Sequence, residues 1–398
     1  MSPRLRICVV GDLDGVHTHR WVRWFVERGH DVRGVSYYWP RRPPPGVTVH
    51  ALAGGDAPPA GAGGTGWTGW RPAARRLAEV VSPSLWRLVN ALRYQRSGLG
   101  RTIDGVEPDV VHAHYVVEHG FYAALAGRHP LVVTAWGSDV LLAPRGSLPA
   151  QAIVRYTVRR ADLVTSNNEY MGRRLVELGA PAERLALIVL GAESFFLDAP
   201  EASVNQRPAE EAPPTVISLR SLDSRLYNVD LILRAIAIAR RRIPNARLLV
   251  AGEGRLRPRL ERLAGRLGLE GSVSFLGYLG REALRDTLAS AHVCVSAPRS
   301  DATAVSTLEA MAAGCFPIVS DLPSQEELVR QGENGFRVPV GDPAALAERI
   351  VEAIERPDLR RRALELNREL VKQRGLLEEY MARMEELYCR LSRRREGA

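Results

Sequence analysis

At 398 residues the chain is too long for one compact core and suggests two domains of ordinary size. Hydrophobic residues at 45% against 25% charged exclude general disorder, and no apolar run reaches the roughly 18 residues of a membrane-spanning helix. The formal charge of +9 admits three partner classes: nucleic acid, an anionic membrane, or phosphate-bearing ligands. Almost every cation is arginine, Lys372 being the only lysine, so any positive charge a ligand needs must come from arginine.

The N-terminus runs straight into the strand Arg6 to Val10 without the apolar stretch of a signal peptide, which predicts a cytoplasmic protein. A Gly/Asp loop and an amphipathic helix from His17 to Glu27 follow; Gly29 ends the helix and Asp31 to Ser36 reads as the next strand. Further strands are predicted at Val110–Ala113, Leu131–Thr134, Leu163–Ser166 and Leu187–Val189, with helices between them. Residues 198–214 are polar, proline-rich and aperiodic, the composition of a linker. Beyond them the βα rhythm restarts, with strands at Val216–Leu219, Arg247–Ala251, Val273–Leu276, Val293–Ser296 and Phe316–Ser320. Helices are predicted at Asp230–Arg242, Leu256–Leu267, Arg281–Ala289, Thr307–Ala313 and Pro343–Glu355, then over Leu364 to Arg395 with a break near Gly375. This division gives a first domain over 1–197, a second over 215–372, and a C-terminal helix over 373–398 expected to pack back on the first. Such alternation makes two parallel sheets with crossover helices, and doubly wound domains bind ligands at the carboxyl ends of their strands. The four cysteines Cys8, Cys294, Cys315 and Cys389 form no CxxC pair, and neither a disulfide nor a zinc site is expected.

The densest cluster of candidate chemistry runs from Ser296 to Asp321. A buried strand ends at Ser296, a loop of small residues follows, and a helix begins near Ser306. Thr303, Ala304, Val305 and Ser306 let backbone N–H groups approach a ligand, and the helix N-terminus adds partial positive charge. A diphosphate suits that place, with Glu309 accepting hydrogen bonds from ribose hydroxyls and Asp301 from sugar hydroxyls. The plain alternative is an ordinary strand–loop–helix with Ser306 as its cap.

Glu309, Ala310, Met311, Ala312, Gly314 and Pro317, with Asp301 eight residues before Glu309, resemble the signature of family 4 retaining glycosyltransferases, with Pro317 one place late. Arg28–Val32, Asp109–His114, Gly252-Glu-Gly254 with Phe275-Leu-Gly277, Asn334-Gly335 and Gly341-Asp-Pro343 add weaker matches along most of the chain. The resemblance implies an α/β protein of the GT-B fold, two doubly wound Rossmann-like domains facing across a cleft. It implies transfer of a hexose or N-acetylhexosamine from a nucleoside-diphosphate sugar to an acceptor hydroxyl with retained configuration, without metal or cofactor. Gly254, Leu276 and Tyr278 then fall on the donor's base side. His17, after Gly15, falls at a family position that meets donor or acceptor.

Two departures from the family pattern stand out. Arg220 keeps the arginine of the donor-phosphate motif, but Tyr227 stands where lysine is usual, and Arg225 is expected to supply the missing cation through a bidentate contact. Trp136 stands where histidine is usual; it can stack on a sugar but cannot accept a proton, and Gly15, Trp136 and Asp139 are expected to contact acceptor or sugar. His112, His114 and His119 read as structural, and His112 and His114, alternating on one strand, are expected to share one fate. Asp12-Leu-Asp14 looks like a metal-binding DxD but is read as a coincidence in this setting.

From Trp67 to Arg101 four large aromatics (Trp67, Trp70, Trp86, Tyr94) sit among seven arginines, opposed only by Glu79. That composition fits the interface of an anionic membrane better than nucleic acid, for which no motif is present. A peripheral position on the inner face of the membrane and a lipid-linked or glycan acceptor follow as expectations. Three other readings remain: a nucleotide-sugar epimerase, a phosphorylase needing a pyridoxal-bearing lysine that only Lys372 could supply, and a silent membrane-binding scaffold.

Overall fold

The computed structural model describes residues 3–53, 83–127, 129–145, 147–198 and 213–396. The chain divides into two compact units, Met1–Ile188 with Tyr380–Ala398, and Val189–Glu379. Most of the stretch read as a linker, 199–212, lies outside the described residues.

Unit 1 is built on a seven-stranded parallel sheet in the order β3-β2-β1-β4-β5-β6-β7. Its strands are β1 (Arg6–Val10), β2 (Asp31–Ser36), β3 (Thr48–Ala51), β4 (Val110–His114), β5 (Leu131–Thr134), β6 (Leu163–Ser166) and β7 (Leu185–Leu187). The continuous apolar run of β1 is what a strand covered on both faces requires, and Ile7 to Val10 are all buried. The helix Val16–Glu27 packs through Thr18, Trp21, Val22 and Phe25, an i, i+3, i+4, i+7 stripe.

Unit 2 carries a six-stranded parallel sheet in the order β10-β9-β8-β11-β12-β13. These are β8 (Thr215–Leu219), β9 (Arg247–Ala251), β10 (Val273–Gly277), β11 (Val293–Ser296), β12 (Phe316–Ser320) and β13 (Phe336–Val338). Val216, Leu248, Val250, Val293, Val295 and Ile318 form its centre with Ile232, Leu233 and Ile236 from the helix Val229–Ala239.

The edges depart from the expectation. β3 and β13 were not anticipated, because four and three residues carry too little periodicity and the strands exist through pairing with β2 and β12. β7 lies two residues earlier than expected, its register set by pairing of Ser166 with Leu187. The helix expected from Leu364 begins at Pro357, where proline fits the first turn. Its break at Gly375 is made by a neighbouring segment: Ala192 N–H donates to Gly375 O at 2.8 Å, and a Cβ on Gly191 would lie 2.0 Å from that oxygen.

From Tyr380 onward the helix Leu377–Glu396 belongs to unit 1. Tyr388 is buried there and its oxygen accepts from Trp21 Nε1 at 3.1 Å, while its hydroxyl bonds His112 Nδ1. His112 Nε2 bonds Thr134 Oγ1 at 2.6 Å, and Thr134 pairs with Thr165 Oγ1 at 2.7 Å. Both ring nitrogens of His112 are thus committed, and burial holds its pKa well below the usual histidine range.

Candidate functional site

In a doubly wound sheet the ligand crevice opens where strand order reverses, outside the carboxyl ends of the two strands flanking that point. In unit 2 these strands are β8 and β11, which pair through Val216 with Val293 and Ile217 with Cys294. Arg220 directly follows β8 and Ser296 ends β11. Arg220 Nε donates to Ser296 Oγ at 3.0 Å, and Nη2 reaches both that hydroxyl and Asp301 Oδ2. The pair is largely desolvated, with 10% of the Arg220 side chain and 16% of the Asp301 side chain exposed. Sequence reasoning selected Arg220 and Asp301 separately; it did not anticipate that Asp301 holds Arg220, with Ser296 as the third member.

The loop carrying Asp301 is braced from several elements. Asn228 Nδ2 donates to Ala297 O at 3.0 Å, Ser320 Oγ to Pro298 O at 2.7 Å, Ser324 Oγ to Asp301 O at 2.7 Å and Gln325 Nε2 to Ala302 O at 2.7 Å. These four side chains carry no local motif, and only the tertiary structure reveals them. The helix after the loop spans Val305–Ala313, with Ala304 as a cap that makes no side-chain hydrogen bond, so Ser306 is not the cap of the plain alternative. Thr307 N and Leu308 N both donate to Ala304 O, at 3.0 and 3.3 Å, which leaves the N–H groups of Val305 and Ser306 without an intrahelical acceptor, and Glu309 is buried on the first two turns.

Arg225 lies exposed in a short 3₁₀ turn, Arg225–Tyr227, with no partner among the described residues. Asn228 follows at φ +50°, a left-handed position that asparagine tolerates. Gly252 and Gly254, after β9, lie against the backbone of Arg220 to Asp223, so Gly254 shapes the site by close packing. Leu276 is partly buried and Tyr278 is 62% exposed beyond it.

In unit 1 the reversal lies between β1 and β4. Gly15 caps the helix Val16–Glu27, and the exposed His17 stacks on Trp136, with centroids 5.1 Å apart and planes 16° from parallel. Trp136 therefore already has one face covered by a side chain of its own unit. Asp12 Oδ1 accepts from Asp14 N at 3.1 Å and Asp14 Oδ1 from Arg42 N at 2.8 Å, which ties both aspartates into the turn.

Asp139 was expected to face the acceptor; its carboxylate is instead fully buried. Oδ2 accepts from Val116 N at 2.8 Å, and Oδ1 from Gly137 N at 2.8 Å and Trp136 N at 3.1 Å. Its work is to fix the loop that presents Trp136. Burial raises its pKa to about 6 against the lowering effect of those amides. A folded pKa above the unfolded one stabilises the protein below the unfolded value, near 3.8, and that stability is lost as pH rises to 6. We expect the difference in melting temperature between wild type and Asp139→Asn to change across pH 4–6 and to be flat above it. At neutral pH, where the amide's NH₂ opposes a backbone N–H, the variant should lose about 1–3 kcal/mol.

The two alternating histidines do share one buried face, both rings packing on Trp21 with their centroids 4.6 Å apart, but their hydrogen bonds differ. Whereas His112 is saturated, His114 bonds Thr18 Oγ1 through Nδ1 at 3.2 Å and its buried Nε2 has no partner among the described residues. Burial, with His119 and His17 nearby, lowers its pKa to about 3, so the ring stays neutral. Alternation on a strand could not separate them, because Tyr388 reaches one and not the other.

Of the basic aromatic segment, Trp67, Trp70, Arg71, Arg75, Arg76 and Glu79 lie outside the described residues. The helix Pro83–Arg96 buries Ala91 and Tyr94 and exposes Leu85, Leu88 and Leu92 by 60%, 43% and 59%. Arg93 is engaged inward, donating to Tyr38 Oη at 2.9 Å. Among the described residues no helix is long and apolar enough to cross a membrane.

Two family models match the chain: the glycosyl transferase 4-like domain over residues 15–191 and glycosyl transferases group 1 over 201–369. The chain belongs to the family 4 glycosyltransferases, retaining enzymes of the GT-B fold. It is 28% identical over 289 residues to the putative glycosyltransferase EpsD of Bacillus subtilis, covering 66% of this chain and 72% of that one. With the alpha-D-kanosaminyltransferase of Streptomyces kanamyceticus it shares 27% over 300 residues, covering 71% and 75%. In fold it resembles the sucrose-phosphate synthase of Thermosynechococcus elongatus at TM-score 0.74 and 20% identity, covering 98% and 99%. Anabaena HepE, solved with UDP-glucose, matches at TM-score 0.70 and 17% identity, covering 96% and 99%.

Proposed function

We propose that this glycosyltransferase moves a hexose or N-acetylhexosamine from a UDP-sugar to an acceptor hydroxyl. The observation that carries the reading is the Arg220–Ser296–Asp301 cluster on the strand-order reversal of unit 2, with Glu309 buried on the helix that follows. Arg220 and the exposed Arg225 neutralise charge building on the departing diphosphate, helped by the amides of Thr303 to Ser306. Glu309 accepts from the ribose, Asp301 from the sugar, and the backbone around Leu276 and Tyr278 meets the base. The leaving phosphate takes the acceptor proton, so no protein base is required.

UDP is favoured because HepE binds UDP and UDP-glucose and the pneumococcal GtfA binds UDP with GlcNAc on similar folds. The relatives' acceptors differ widely, from L-malate to phosphatidyl-myo-inositol, so the acceptor class here is stated only as a hydroxyl. Gly15, His17 and Trp136, with the uncommitted Nε2 of His114, form the acceptor side on unit 1. A thermal-shift panel of UDP-, GDP-, ADP- and TDP-sugars tests the donor. A rise in Tm confined to UDP-sugars is expected; a rise only with another nucleotide overturns the UDP assignment, and no rise with any overturns donor binding.

The stripe Leu85, Leu88, Leu92, with the exposed Arg96 on the same face, supports a narrower reading, in which the enzyme works at an anionic bilayer on a lipid-linked acceptor. Flotation with phosphatidylglycerol vesicles should carry the protein upward at low salt, and Leu88→Asp with Leu92→Asp should abolish it. Wild-type protein that stays at the bottom of the gradient sinks the membrane reading and leaves the donor reading intact.

A further inference from the structure

A guanidinium that must meet a diphosphate works best when its plane and edges are fixed before the ligand arrives. Two of the constraints on Arg220 are already described: Nε and Nη2 are held by Ser296 and Asp301. A third comes from Tyr227. The Arg220 Cζ lies 5.3 Å from the centroid of the Tyr227 ring, within the range of a cation–π contact. Nη1 has no partner among the described residues, so one edge of the fork stays open while the other edge and a face are occupied.

Tyr227 is itself well anchored. It packs against the core of unit 2. Its turn is fixed by Ser224 Oγ, which accepts from Leu226 N at 3.1 Å, and by Arg299 N–H, which donates to Leu226 O at 2.9 Å. Asn228, next in sequence, ties the turn to Ala297 O and accepts from Arg299 Nε at 2.9 Å. The loops after β8 and β11 thus lock together around the ring. Burial raises the pKa of the phenol, and it contributes no charge at neutral pH.

We propose that Tyr227 is a positioning residue for Arg220: its ring holds the guanidinium so that the open edge meets the donor's diphosphate. Where a lysine would add a second cation, this chain instead makes Arg220 rigid. The proposal rests on the donor reading above, since it requires a phosphate at Arg220.

The test is calorimetric titration of UDP and of uridine into wild type, Tyr227→Phe, Tyr227→Trp, Tyr227→Leu and Tyr227→Met. Loss of the aromatic face should weaken UDP roughly fivefold to tenfold in the Leu and Met variants, with Phe and Trp staying within about twofold of wild type. Uridine, which has no phosphate for Arg220, should bind all five proteins alike. A general distortion of the unit would weaken uridine as well, and that result overturns the proposal. So does unchanged UDP affinity in Leu and Met, or a Phe variant as weak as Leu, which would assign the effect to the hydroxyl. If the Leu variant fails to fold, Met and Trp give the same comparison. Wild type that binds neither UDP, GDP nor ADP removes this proposal together with the donor reading; a binding wild type with indifferent variants removes this proposal alone.

Discussion

Replacing Arg220 with alanine is expected to lower kcat/KM by roughly a hundredfold to a thousandfold, the usual loss when one preorganised charge is removed from a developing anion. The magnitude follows from its surroundings. The guanidinium is nine-tenths buried, its Nε/Nη2 edge is spent on Ser296 and Asp301, and no other described cation is fixed beside it in the same way. The Arg225 side chain is exposed and has no partner among the described residues, so it is not held in place as Arg220 is. Alanine also leaves Asp301 without its counter-ion, and the carboxylate then repels the incoming diphosphate. Arg220→Lys should recover little, because an ammonium cannot satisfy Ser296 and Asp301 through one planar fork while offering a second edge. Steady-state kinetics with a UDP-sugar, read beside a melting curve, checks this. An alanine variant that keeps wild-type kcat/KM would remove Arg220 from the mechanism.

Gly252→Ala is expected to be among the most damaging single-methyl changes in unit 2. Gly252 has φ +144°, and a Cβ there would lie 2.1 Å from the carbonyl oxygen of Arg220 and 2.9 Å from its carbon. Both obstacles are backbone of the adjoining strand end, so no rotamer change relieves them. The left-handed φ and the overlap together should cost roughly 3 kcal/mol or more, about 6–12 °C in the Tm of a unit the size of Val189–Glu379. The only relief is to push the end of β8 away, which moves Arg220 from Ser296; nucleotide binding should fall with stability. Gly105→Ala is the contrasting case, since nothing lies within 4 Å of a Cβ there and the helix gains from alanine. It should be neutral to slightly stabilising. Equal melting temperatures for the two variants would contradict the argument.

Much of the candidate site is legible in the sequence. The block from Asp301 to Pro317, the Gly-Glu-Gly turn and Arg220 lie in short contiguous motifs, and the backbone geometry that each motif needs is written in local residue types. The sheet interiors were legible for the same reason: β1, β5 and β11 are buried on both faces and read as apolar runs over Ile7–Val10, Leu131–Val133 and Val293–Val295. Edge strands β3, β7 and β13 were missed or misplaced because only the neighbouring strand defines them.

What the sequence by itself determined is therefore the class: two doubly wound α/β units and a retaining glycosyltransferase signature, each set by patterns a few residues to a few tens of residues long. The tertiary structure decided who partners whom. It turned Asp139 from an acceptor contact into a loop brace by burying the carboxylate among three backbone amides. It separated His112 from His114 by bringing Tyr388 from 276 residues away onto only one of them. It placed the Tyr227 ring beside Arg220, giving the missing lysine a physical replacement of another kind. Hydrogen bonds and ion pairs between distant segments depend on distances of a few ångströms that no local pattern encodes, and those distances exist only once the sheets have formed.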